Sequence, residues 1–312
     1  MGVERRHALA SKALGRSLVP PQPEEEIPAL TAVVGEILDV SPHLIIVENP
    51  EGVEERLVIA PWATAWRGSV VAPADLPAGG RVVIRARQSG RVADRLWGDV
   101  TRVTGVILSM GREGRDRTVE LDCGPHRGTR EVVIPYGASG RIAVRHPQLE
   151  PGYLFDAIGT RVEGVTTAYL PATSQPPYRA TAVPPPPPAY NGVQSRISGA
   201  AAWSDAFDEG EAGAAYPMLE RADSQCDDAG VSCTGLPYLS LGSMLYVGNV
   251  CESRAAVLPI VACGCMAGRF CDRCVECGTS PRGRIAELSP ASFVELGGDL
   301  TNGCFNARVG LG

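Results

Sequence analysis

A mainly β protein is what this sequence predicts, on three observations. First, 26 prolines and 36 glycines in 312 residues, against a charged fraction of 21%, punctuate short strands and turns rather than long helices. Second, a set of apolar landmarks occurs twice. Third, nine of the ten cysteines fall between Cys226 and Cys304, so the last third of the chain is held by cysteine chemistry.

Residues 1–30 combine a helical candidate, Arg5 to Leu14, with the run from Pro20 to Pro28, and are expected to form an arm or linker. The duplication follows. Gly35-Glu-Ile-Leu38, Arg56-Leu-Val-Ile-Ala-Pro61 and Leu76-Pro-Ala-Gly79 recur as Gly105-Val-Ile-Leu108, Glu131-Val-Val-Ile-Pro135 and Leu149-Glu-Pro-Gly152. Offsets of about 70 residues fit two tandem modules, 31–102 and 103–170, rather than a solenoid. Within each, β-branched runs broken at turns such as Asn49-Pro-Glu-Gly52 give strands of the length a small antiparallel barrel uses. Residues 171–194 carry Pro184 to Pro188 and are expected to be an extended, stiff spacer. Residues 195–312 form the cysteine-rich domain.

The turn Leu76-Pro-Ala-Gly79 leading into Arg81-Val-Val-Ile84 resembles the oligonucleotide/oligosaccharide-binding (OB) style of barrel, so the two modules are expected to be OB-like. In the last domain, Leu241-Gly-Ser with Tyr246-Val-Gly-Asn249, then Cys271-Asp-Arg-Cys274-Val-Glu-Cys277, then Gly283-Arg-Ile-Ala-Glu-Leu-Ser-Pro-Ala-Ser-Phe293 resemble the double-psi β-barrel of expansins, barwin-like proteins and the rare lipoprotein A type. The resemblance covers roughly 110 residues. It implies that Leu288-Ser-Pro290 opens a short helix beside a groove, and that Asp272 and Glu287 stand where the family carries acids. Two such acids are the catalytic candidates for polysaccharide cleavage, one as proton donor and the other as water-activating or electrostatic partner. Trp203, Tyr238 and Tyr246 are the candidates for stacking on sugar rings. Each acid also has a structural alternative: Asp272 paired with Arg273 or Arg284, or capping a turn, and Glu287 facing water.

The ten cysteines, Cys123, Cys226, Cys233, Cys251, Cys263, Cys265, Cys271, Cys274, Cys277 and Cys304, are disulfide candidates. Nine in one domain is odd, which leaves Cys123 as the available partner within the chain, an intermolecular bond as the alternative. A zinc site of Cys263, Cys265, Cys271 and Cys274 is the competing use of the same thiols. No other metal and no cofactor is expected.

A net charge of −6 with one lysine and 28 arginines argues against an extended phosphate track and hence against nucleic acid as partner. No run of eighteen apolar residues is present to span a bilayer. Cysteine usage points to an extracellular or cell-surface location, although the first residues carry no visible signal peptide. All four histidines precede the cysteine-rich domain, and Glu287 is one methylene longer than the family's aspartate, so a non-catalytic structural or glycan-binding protein is the leading expectation. The alternatives are a cell-wall polysaccharide-cleaving enzyme using Asp272 and Glu287, and a phage-tail or filament component that assembles with copies of itself.

Overall fold

The computed structural model describes residues 29–124, 127–173, 178–183, 196–208, 210–220, 234–264 and 266–311. The expected helix at Arg5 to Leu14, the prolines at 20–28 and 184–188, and Cys226, Cys233 and Cys265 lie outside them. The described chain forms three closed small β-barrels, as expected.

The first barrel comprises β1 (Thr31–Val40), β2 (Leu44–Glu48), β3 (Glu54–Trp66), the short β4 (Val70–Val71), β5 (Arg81–Arg87) and β6 (Val92–Gly98). Its ring runs β1-β2-β3-β6-β5 and back to β1, with β3 and β6 parallel and the other pairs antiparallel. The second barrel comprises β7 (Val100–Glu113), β8 (Asp116–Asp122), β9 (Thr129–Ile134), helix α1 (Tyr136–Arg145), β10 (Leu154–Val162) and β11 (Val165–Pro171). Its ring β7-β8-β9-β11-β10 repeats that connectivity, again with one parallel pair, β9 with β11. The two are OB-like barrels that meet at Asp99, whose positive φ of 51° turns the chain from β6 into β7.

The repeated landmarks are one structural corner used twice. Ile37 donates its N–H to Gly80 and accepts from Gly79; Ile107 does the same with Tyr153 and Gly152. Gly79 and Gly152 have φ of 76° and 86°, a left-handed conformation glycine adopts without steric cost. Each isoleucine is buried, and each lies beside a register shift in its strand. Val33, Ile37, Ile45, Val47, Leu57 and Ile84 fill the first barrel; Val103, Ile107, Val119, Leu121, Val132 and Phe155 fill the second.

The third barrel contains β12 (Arg196–Trp203), β13 (Ala214–Tyr216), β14 (Met244–Asn249), β15 (Arg254–Cys263), β16 (Arg284–Leu288), helix α2 (Pro290–Glu295) and β17 (Cys304–Leu311). The ring order is β12-β16-β13-β15-β14-β17, with β12–β16 and β13–β15 parallel. Helix α2 starts as the sequence suggests: Ser289 accepts from the Ser292 N–H, and Pro290 occupies the first turn, where its missing N–H costs nothing.

The barrels are not beads on a spacer. Trp66, Val83 and Trp97 of the first and Ile158 and Ala172 of the second join Trp203, Phe293 and Phe305 in one apolar cluster. Tyr178 and Ala180, in the stretch expected to be an open linker, exchange backbone hydrogen bonds with Leu154 and Gly152 and so extend the second barrel.

Candidate functional site

Asp272 and Glu287 are brought to the face of the third barrel that meets the second, and both are buried, at 7% and 1% exposure. Asp272 follows Cys271 in the loop before β16, and Arg284 at the head of β16 donates to it through Nε at 3.1 Å and Nη2 at 3.3 Å. Of the alternatives open in the sequence, the structure selects the Arg284 pair. Glu287 does not face water: it sits between Ala202 of β12 and Ala215 of β13, and Arg127 of the second barrel donates to its Oε2 at 3.3 Å. Its other oxygen is buried with no hydrogen-bond partner. Neither acid lines an open cleft: each is buried, and each accepts a hydrogen bond from a guanidinium.

The residue at the centre of this face is one the sequence reading passed over. Asp156 on β10 is fully buried, accepts from Arg102 through Nε at 3.0 Å and Nη2 at 2.8 Å, and accepts from the Thr104 hydroxyl at 3.0 Å. Arg284 of the third barrel also donates to it, so one carboxylate is shared between two barrels. Arg102 continues across the junction to the carbonyls of Trp203 and Gly303, at 3.1 and 2.6 Å. The Arg284 guanidinium lies 4.1 Å from the Phe270 ring centroid.

The network fixes charge states. Burial pushes the Asp156 carboxyl up, but the Arg102 and Arg284 charges and their hydrogen bonds outweigh it and hold Asp156 well below the usual carboxylate range. Burial likewise works against the charge on Arg284, and Asp156, Asp272 and Glu287 together raise its affinity for the proton. His146 is buried against Phe155, with Nε2 3.0 Å from the Asp156 carbonyl, and burial lowers its pKa. A signal for Asp156 was present: an aspartate alone in the apolar run Tyr153-Leu-Phe-Asp-Ala-Ile158 must have a partner if that run is a core strand.

Of the three aromatic candidates, Trp203 is corrected. It is fully buried in the shared core, with its indole N–H donating to the Leu300 carbonyl at 2.9 Å, and no sugar reaches it. Tyr238 is 62% exposed on a loop. Tyr246 is partly buried on the outer face of β14, in a groove lined also by Arg196, Asn249, Arg254 and Arg308.

Six of the described cysteines are disulfide-bonded. Cys251 pairs with Cys277 and Cys274 with Cys304, with Cα separations of 5.5 and 6.0 Å, within the usual range for such bonds. Cys263 and Cys271 are also disulfide-bonded. The zinc alternative is thereby overturned, since Cys263, Cys271 and Cys274 have spent their thiolates on sulfur, and no group of metal-ligating side chains exists among the described residues. Cys123 is corrected too: it is a free thiol buried in the second barrel's core, where burial raises its pKa and no second chain can reach it.

No helix among the described residues is long and apolar enough to cross a membrane. No protein-family model matches the chain, and no curated protein does.

Proposed function

We propose that the chain is a non-catalytic, disulfide-stabilised structural and glycan-binding protein of an extracellular or surface compartment, with an expansin-like third barrel carried on two OB-like barrels. The observation that carries this reading is the fate of the two acids: Asp272 and Glu287 are buried and engaged by arginines, whereas the usual two-carboxyl route to glycosidic cleavage needs both groups facing a sugar across open space. The expansin-like assignment is supported by a closed six-stranded barrel with two parallel pairs, and by the helix opening at Ser289. An oxidising location is supported by four described cysteines joined in two disulfides and two more that are also bonded.

The test is co-sedimentation with insoluble cell-wall polysaccharide combined with an assay of released sugar. The expected result is retention on the polysaccharide with no soluble reducing ends above background. Sugar release by the wild type that disappears in Asp272→Asn would establish the hydrolytic alternative instead.

A further inference from the structure

On the outer face of the third barrel, Arg196 of β12 lies opposite Gly310 of β17, and Gly310 lies opposite Tyr246 of β14. The glycines form a floor on which the Tyr246 side chain rests: a Cβ at Gly310 would stand 3.2 Å from the tyrosine Cβ, and one at Gly248 would stand 3.5 Å from its ring edge. The Arg196 guanidinium covers the ring at 5.3 Å from its centroid, so Tyr246 is a support for the arginine rather than an open stacking surface. Arg308 of β17 and Arg254 of β15 complete a groove of about 240 Å³, whose remaining lining includes Asn249 and Ser253 and contains no acid.

Elsewhere the arginines of the inter-barrel faces are matched: Arg102, Arg127, Arg130, Arg95 and Arg284 each face a carboxylate. Among the described residues, no salt bridge joins Arg196, Arg254 or Arg308 to any acid, and Arg254 Nε is buried with no hydrogen-bond partner. Arg85 and Arg87 of the first barrel act on Arg254 as further like charges, with Glu252 the acid that offsets them. Arg196 and Arg308, both exposed and without a salt bridge among the described residues, stay solvated until an anion arrives. A guanidinium positioned over an aromatic ring has fewer orientations to lose when its fork meets a planar oxyanion.

We infer that this groove binds the carboxylate of an acidic saccharide unit, with Arg196 and Arg308 as the principal donors; the inference rests on the glycan-binding reading above and names its ligand class. The groove is smaller than the roughly 300 Å³ at which drug-sized sites begin, so it accommodates one charged unit of a chain rather than an oligomer. The net negative charge of the domain does not prevent this, because screening over about 8 Å at physiological ionic strength leaves the local cations in control of a short ligand.

The experiment is calorimetric titration of the full chain with trigalacturonate, with the methyl ester of the same trimer and with inorganic phosphate alone. Trigalacturonate is expected to bind, the ester and phosphate to bind at least about tenfold more weakly, and Arg196→Gln and Arg308→Gln each to weaken trigalacturonate by roughly tenfold while leaving the thermal midpoint unchanged. Equal affinity for acid and ester overturns the carboxylate inference, and phosphate binding as tight as the trimer reduces the groove to an anion site without saccharide selectivity. Retention on insoluble polysaccharide with no trigalacturonate binding sinks the groove alone. Loss of both sinks the glycan-binding reading as well.

Discussion

Asp156 ties two barrels together, because its carboxylate is the shared counter-charge for an arginine on its own barrel and one on the next. Removing one partner of a buried pair costs roughly 3–5 kcal/mol, since the remaining charge keeps its desolvation penalty and loses its compensation. Asp156→Asn is therefore expected to lower stability by about that amount in urea unfolding at pH 7. The pH profile of the same experiment has a defined sign. A carboxyl held below its unfolded value contributes stability that is complete above about pH 4 and is lost as pH falls further, because the unfolded chain then takes up the proton that the folded one refuses. Wild-type stability should thus fall below about pH 4, and Asp156→Asn should lack that component. A shallower loss should begin below about pH 6.5 in both, from the depressed His146. An Asp156→Asn profile as steep as wild type below pH 4 would refute the assignment. At this scale the sequence was half legible. The Asp272–Arg284 pair spans twelve residues and could be guessed, whereas the partner of Glu287 lies 160 residues upstream, where no local pattern reports it.

The duplicated corner shows what pattern reading does well at the scale of strands. Gly35-Glu-Ile37 and Gly105-Val-Ile107 were recognisable because the same residue types recur in the same order: a glycine two residues before a buried isoleucine, then a left-handed glycine further along each module. The glycines have a reason that only coordinates supply. A Cβ at Gly35 would stand 2.2 Å from the Glu48 carbonyl oxygen, and one at Gly105 would stand 2.6 Å from that of Asp122, backbone atoms of the neighbouring strand that cannot rotate away. Gly35→Ala and Gly105→Ala are each expected to destabilise by about 1–3 kcal/mol, the ordinary cost of forcing packed elements apart. Gly140 in α1 is the control, since an added Cβ there meets nothing within 4 Å and its φ is not positive. Gly140→Ala should stabilise by about 0.4–1 kcal/mol by restricting the unfolded chain. If all three substitutions lower the denaturant midpoint alike, the strand-contact explanation is wrong.

For the whole molecule, the difference from expectation lies between the barrels, where the sequence suggested a stiff spacer before the third and the structure has an apolar cluster shared by all three. Faces that pack barrel on barrel leave no periodic trace beyond an extra buried residue on the outer side of a strand, as at Val83 between the inward Val82 and Ile84, so they were invisible in one sequence. The packing changes what breaking the disulfides should do. Cys251–Cys277 and Cys274–Cys304 hold the loop that leads from Asp272 towards β16, and chain-entropy arguments assign about 3–4 kcal/mol to each closure. If the third barrel were a separate bead, its reduction would leave the second untouched. Because Asp272 orients Arg284, and Arg284 helps neutralise Asp156, reduction should uncover a charge inside the second barrel as the third loosens. Native-state hydrogen exchange with and without reductant is the measurement. Amides of β16 and of β10 around Asp156 should lose protection together, while β1, β2 and β3, whose inward residues form their own core, keep theirs. Full protection of β10 beside a freely exchanging β16 would mean that the buried ion network contributes contact without energetic coupling.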